Sequence, residues 1–295
     1  MPELPEVETV RKGLQELIIG KKIKSVSSDW PKSFPNDQSQ VNLYIINSSI
    51  IDVRRRAKLL IIDLSSGYSL VTHLKMTGQL VFRSNKQNFG AGHPSNSLVG
   101  KLPDKSTRVI ISFSDSSKLF FNDQRKFGWM KLTEKKDILK HFTSIYGPEP
   151  LDSSFTTTAF KNRLLTRPRS VIKAVLLDQR VIAGVGNIYS DESLWAARIH
   201  PLTPTYQLTD QKIKLLHKSL IDVLQLAIKE GGSSDRNYVN AKGQKGSYIK
   251  IAKVFRREGQ SCPRCNHEIK KMRVIGRGTH YCPYCQRLKI GKIES

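Results

Sequence analysis

Four cysteines stand in two pairs, Cys262-Pro263-Arg264-Cys265 and Cys282-Pro283-Tyr284-Cys285, and the chain has no others. Each CxxC turn can present two thiolates to one ion. Two such turns complete the tetrahedral shell that zinc takes in structural sites. Disulfides and a redox dithiol are the alternatives. An intracellular setting argues against the first and the doubled knuckle against the second. The spacing therefore predicts one structural Zn2+ held by Cys262, Cys265, Cys282 and Cys285. His267 and His280 lie close by, but four thiolates already fill the shell, so both are expected at the surface or facing phosphate. Arg273, Arg277 and the glycines at 276 and 278 fall where a hairpin tip is expected between the pairs.

A second pattern is Gly184-Val185-Gly186-Asn187. A GxG invites a dinucleotide reading, but Tyr189 stands where the third glycine belongs and no βαβ pattern surrounds it. A glycine turn between two helices instead offers backbone N–H groups at a helix N-terminus, which suits a phosphate.

Phosphate is also what the charge asks for. The 295 residues carry 49 Lys+Arg against 25 Asp+Glu, a formal +24. Residues 231–295 alone hold 15 basic and 4 acidic side chains. Such a surplus repels itself unless it serves a polyanion, and nucleic acid is the leading candidate. A basic membrane-binding protein would need an amphipathic basic helix or a lipidation motif, and neither stands at the termini. No apolar run is long enough to span a bilayer, and the acidic start is unlike a signal peptide. The expected location is the cytoplasm, in association with the nucleoid. A hydrophobic fraction of 38% is enough for a packed core.

Positioning these residues takes two kinds of structure. Residues 3–19 read as a helix, with Val7, Val10, Leu14, Leu17 and Ile18 at helical spacing and Gly20 as a stop. From 21 to 132 the pattern turns to short β-branched runs: Leu43–Ile46, Ile50–Val53, Leu59–Leu64, Ser69–His73, Gln79–Phe82, Arg108–Phe113, Lys118–Phe121 and Trp129–Leu132. Residues 84–103, rich in Ser, Asn, Gly and Pro, read as a mobile surface insertion. A linker surrounds Gly147-Pro148-Glu149-Pro150, and helices follow near 156–165, 170–178, 189–197 and 209–230, the last ending at Gly231-Gly232. The expected fold is α+β and multidomain: an N-terminal helix and β-sandwich, then a helical domain and a zinc hairpin.

Together, Met1-Pro2-Glu3-Leu4-Pro5-Glu6-Val7-Glu8-Thr9-Val10, the turn Gly184–Tyr189 and the terminal CxxC pairs resemble the formamidopyrimidine-DNA glycosylase family of base-excision repair. The motif order matches along the whole chain. The resemblance implies a catalytic β-sandwich domain at 1–142, a linker at 143–152, a helix-two-turn-helix DNA-binding domain at 153–232, a lesion-capping loop at 233–247 and a zinc finger at 248–295. It implies a monomeric bifunctional glycosylase and abasic-site lyase acting on damaged double-stranded DNA, with no membrane partner. The substrates would be oxidised purines such as 8-oxoguanine and formamidopyrimidines, with β,δ-elimination of the abasic site.

The resemblance also assigns roles. Pro2, freed when methionine is removed, is the nucleophile: a secondary amine attacks C1′, displaces the base and forms an iminium directly. An α-amino group titrates near ~7.7–8.0, so a neutral fraction exists without the large shift a lysine needs. Glu3 is the general acid/base beside it, and Glu6 a supporting carboxylate or a solvated first-turn residue. Lys58, in Arg54-Arg55-Arg56-Ala57-Lys58, holds the phosphate expelled on elimination. Met76, Arg125 and Phe127 fill the gap left by the flipped nucleotide. Gln124 stands where the family often has proline. His73, Asn187 and Arg277 match phosphate contacts. An endonuclease VIII-type oxidised-pyrimidine glycosylase is the nearer alternative, although Leu4 and the Arg125/Phe127 loop favour the purine reading. A non-catalytic zinc-containing nucleic-acid-binding protein is the farther one.

Overall fold

In the computed structural model, residues 1–93, 95–233 and 247–288 are described. The expected capping loop therefore lies outside the described residues except for its two ends, Ser233 and Ser247. Among the described residues, no helix is long and apolar enough to cross a membrane.

The chain opens on helix α1 (Leu4–Ile18), which starts at a proline-containing first turn and a capping box formed by Glu3 and Glu6. Its apolar stripe, from Val7 through Ile18, is buried. Then come β1 (Ile23–Ser28), helix α2 (Gln38–Tyr44), β2 (Ile50–Arg56), β3 (Leu59–Leu64), β4 (Tyr68–His73), β5 (Gly78–Arg83), β6 (Asn88–Gly92), β7 (Thr107–Phe113), β8 (Lys118–Asp123) and β9 (Trp129–Glu134). They form two antiparallel sheets, one in the order β1-β7-β8-β5-β6 and one in the order β2-β3-β4-β9. Both sheets and α1 contribute to one apolar core that includes Leu14, Leu60, Ile62, Phe82, Phe89 and Phe121. Three connections, β1 to β2, β4 to β5 and β8 to β9, cross from one sheet to the other.

The structure corrects two expectations here. Leu43–Ile46 is not a strand. Asp37 caps a helix by accepting the Ser39 N–H at 2.8 Å, and Val41 and Ile45, one helical turn apart, are buried. Residues 84–103 are not a loose insertion either. After a turn at Ser84–Gln87, β6 pairs with β5, with Phe82 opposite Phe89. Phe89 and Leu98 are both buried. The glycines that suggested a loop permit close approach instead. A Cβ on Gly13 of α1 would overlap the Phe89 ring, and one on Gly92 (φ +124°) would lie 2.8 Å from the Gln79 Cα.

Helix α3 (Lys135–Ile145) was not expected. The remainder is α4 (Thr157–Leu165), α5 (Ile172–Leu177), α6 (Asn187–Ala196), α7 (Asp210–Lys229), α8 (Tyr248–Ile251) and a hairpin of β10 (Lys270–Val274) and β11 (Arg277–Tyr281). Val274 pairs with Arg277, leaving Ile275 and Gly276 as a two-residue turn. Both have positive φ, +43° and +75°, as a tight hairpin turn requires. The chain forms two compact units: Met1–Ser144 with Ala227–Tyr248, and Ile145–Leu226 with Ile249–Ser295.

Candidate active site

The first unit gathers most of the expected residues at one end of its sandwich. Strand register explains how. Across the four-stranded sheet Arg56 pairs with Leu59, Leu59 with His73, and His73 with Trp129. That row ends the sheet. Beyond it lie the β2–β3 turn with Lys58, the β4–β5 crossing with Met76 and the β8–β9 crossing with Arg125 and Phe127. In the other sheet Gly78 pairs with Asp123 and Gln79 with Gly92 at the same crossings.

Lys58 is buried, and the Ala57 before it takes a left-handed φ of +54°. His73 lies close enough to feel it. Burial, then the charges of Lys75 and Lys58, push the His73 pKa down to about 3. Its Nδ1 accepts the Lys75 N–H at 2.9 Å. The neutral ring therefore carries its proton on Nε2, where it can donate.

The chain's start lies near this end too. Burial, and next the charge of the N-terminal amine, hold His93 below the usual histidine range, while Asp123 acts the other way. The His93 N–H donates to Gly78 O at 3.0 Å, which fixes it beside the β4–β5 crossing. His93 was missed from sequence because it sits in the segment read as an insertion.

Pro2 and Glu3 are buried at the entry to α1. Glu6 is buried as well, and its carboxylate bridges two backbone groups. Oε2 accepts the Glu3 N–H at 2.7 Å and Oε1 accepts the Ser233 N–H at 2.7 Å. A solvated first-turn carboxylate is thereby ruled out. Gly232 makes the approach possible, since a Cβ there would sit 2.9 Å from Glu6 Oε1. The Ser247 N–H donates to Glu230 O at 2.9 Å, and the Tyr248 N–H donates to Gly232 O at 3.2 Å.

Met76 is half-buried, whereas Arg125 is exposed and Phe127 is 54% exposed. The Arg125 guanidinium lies over the Phe127 ring at 4.9 Å. An exposed phenylalanine under an arginine is unusual for a core side chain and suits insertion between bases.

The second unit holds Asn187, Arg277 and the cysteines. Asn187 is the first residue of α6, and its Nδ2 donates to Gly278 O at 2.8 Å, so it sits beside the exposed Arg277. Behind them Lys173 is fully buried and donates to Asp191 Oδ1 at 2.5 Å and Ser190 Oγ at 2.7 Å. Asp191 Oδ2 accepts the His280 N–H at 2.9 Å. His280 is thus buried, contrary to the expected surface position, because its hairpin strand packs on α6. His267 is exposed, as expected, and stacks on Tyr284 at 4.0 Å. Sequence gave no sign of the Lys173–Asp191 pair. A lysine in an apolar helix reads as solvated until its partner is visible.

The four sulfurs lie within 4.8 Å of one another. The separations include 3.9 Å for Cys262–Cys285, 3.5 Å for Cys265–Cys282 and 3.4 Å for Cys265–Cys285. A tetrahedron with ~2.3 Å Zn–S bonds needs edges near ~3.8 Å. The Trp195 indole N–H points at Cys262 Sγ at 3.4 Å, as donors around a thiolate shell do. The donor set fits one structural zinc, which ties the two knuckles together.

Comparison with known proteins agrees with this layout. Residues 1–130 match the formamidopyrimidine-DNA glycosylase N-terminal domain, 146–238 the formamidopyrimidine-DNA glycosylase H2TH domain and 259–288 the zinc finger found in FPG and IleRS. The formamidopyrimidine-DNA glycosylase of Chloroflexus aurantiacus is 40% identical over 97% of this chain and 98% of its own. The Lactococcus lactis Fpg in complex with abasic-site DNA superposes with a TM-score of 0.85 at 36% identity, over 97% of this chain and all of that one. A structure of MutM with carbocyclic 8-oxo-G containing DNA gives the same score, identity and coverage.

Proposed function

The chain belongs to the formamidopyrimidine-DNA glycosylase family, and from that premise we propose how this base-excision repair enzyme, a DNA glycosylase and abasic-site lyase, does its work. Removal of Met1 frees the Pro2 nitrogen as a secondary amine. With Met1 attached that nitrogen is an amide and cannot form an iminium. The amine attacks C1′ of an oxidised purine nucleotide turned out of the stack, and the base departs. Glu3 moves the protons at the sugar. The iminium then allows β- and δ-elimination, and Lys58 balances the charge of the leaving phosphate. Met76, Arg125 and Phe127 occupy the vacated space. His73, through its Nε2 proton, holds the backbone with Asn187 and Arg277. Cys262, Cys265, Cys282 and Cys285 hold the structural zinc.

The observation that carries the reading is the gathering of Lys58, Met76, Arg125 and Phe127 beyond the end row of the sandwich that holds His73. A wedge, a phosphate donor and a cation at one edge serve a nucleotide that has left the helix. The active species is read as a monomer, drawn to the nucleoid by its +24 charge.

The test is incision of paired duplexes, one with 8-oxoguanine opposite cytosine and one with an oxidised pyrimidine. Faster cleavage of the first is expected. Cleavage of the second alone would transfer the chain to the pyrimidine branch, and binding without cleavage of either would leave only a nucleic-acid-binding protein.

A further inference from the structure

We propose that Thr77 and Asp123 form a latch that sets the Met76 turn and the Arg125–Phe127 loop against each other, so that the three side chains enter the duplex as one wedge. The proposal rests on the reading of those three residues as gap-fillers.

Each of the two loops crosses between sheets, and the strands flanking them pair on both sides: His73 with Trp129 in one sheet, Gly78 with Asp123 in the other. The loops therefore run side by side. Register alone does not fix their tips. The latch does. Asp123 is fully buried at the end of β8. Its Oδ1 accepts the Thr77 hydroxyl and the Arg125 N–H at 3.2 Å. The Thr77 oxygen in turn accepts the Arg125 N–H at 3.0 Å. Oδ2 accepts the Gly128 N–H at 2.6 Å. One carboxylate thus grips the β8–β9 loop at both ends and, through Thr77, the residue next to Met76.

Asp123 itself is held from behind. Its N–H donates to Ser106 O at 2.7 Å and its carbonyl accepts Arg108 Nε at 3.0 Å. Gly128 leaves no room for a side chain, since a Cβ would meet the Phe121 ring at 2.7 Å and Asp123 Oδ2 at 3.1 Å. Between the gripped ends the loop is free of the core: Arg125 and Phe127 are exposed. A rigid base under exposed tips is the arrangement that delivers a wedge at fixed geometry.

A turn-stabilising role alone would weaken every reaction of the enzyme equally. A positioning role spares reactions that need no gap-filling. The full chain is compared as wild type, Thr77→Val, Thr77→Ser and Asp123→Asn on two substrates: an 8-oxoguanine:C duplex and a single-stranded oligonucleotide with an abasic site. Thermal melts report folding. Thr77→Val removes the hydroxyl at nearly constant volume. It and Asp123→Asn are expected to lose about a hundredfold in duplex excision, the scale of a small misplacement. Both should cleave the single strand at the wild-type rate, and Thr77→Ser should retain duplex excision. Wild-type duplex rates in Thr77→Val would overturn the latch, and so would equal losses on both substrates. If the wild-type enzyme cleaves the single strand but leaves the 8-oxoguanine duplex intact, the gap-filling reading itself fails and the latch with it.

Discussion

Glu6 accepts the backbone N–H of Glu3 at 2.7 Å, so the residue next to Pro2 is held by a second carboxylate one helical turn away. The same carboxylate takes the Ser233 N–H. On the proposed mechanism the two glutamates would have separable duties, Glu3 in proton transfer and Glu6 in holding the chain entry in place. Glu3→Ala should retain affinity for an abasic-analogue duplex while excision falls by about 10²–10⁴. Glu6→Gln keeps one acceptor oxygen and should lose less. Gel-shift affinity and single-turnover excision on the same preparations check this; equal losses in the two variants would contradict it.

His73 should make stability pH-dependent. Its folded pKa, about 3, lies below the ~6.5 of an unfolded chain. Between those values the unfolded state binds more protons, so the contribution is whole above about pH 6.5 and shrinks as pH falls toward 3. Melting temperatures from pH 7.5 to 5 should fall more steeply for wild type than for His73→Gln. Some slope will persist in the variant, because burial also depresses His93 and His200. Identical slopes would show that His73 is not held neutral in the folded chain.

Zinc removal should unfold the knuckles, because a segment this short draws folding energy from its metal. One zinc per chain is expected by elemental analysis. A chelator should abolish DNA binding while much of the β-sheet circular dichroism remains. Normal binding by metal-free protein would refute the structural role.

Arg277, exposed at the start of β11 beside Asn187, should contact phosphate and carry no sequence information. Arg277→Ala should weaken binding to damaged and undamaged duplexes alike and lower the salt slope by about 1. A loss confined to one lesion would instead make Arg277 a reader of the base.

Much of this was legible in the sequence, for reasons that differ by residue. The cysteines were legible because metal geometry dictates their spacing, and α1 because a buried stripe recurs at 3.6 residues. Phe89 was not, because glycines around it signal a turn, and only the α1 face it packs on reveals their purpose. Leu43–Ile46 misled because β-branched residues beside Leu and Tyr read as a strand, while the Asp37 cap that decides the matter lies upstream. Thr77, Asp123 and Asp191 escaped notice because a buried polar side chain is defined by its partners, and the pairings that define these three, Thr77 with Asp123 and Asp191 with Lys173 and His280, join residues far apart in sequence.

The most direct test of the central claim is borohydride trapping. The purified protein is incubated with an 8-oxoguanine:C duplex and sodium borohydride, and the crosslinked residue is found by mass spectrometry. The account predicts a reduced adduct on the nitrogen of Pro2 in a chain that has lost Met1. An adduct on a lysine, or none on any damaged or abasic duplex while binding persists, would contradict it.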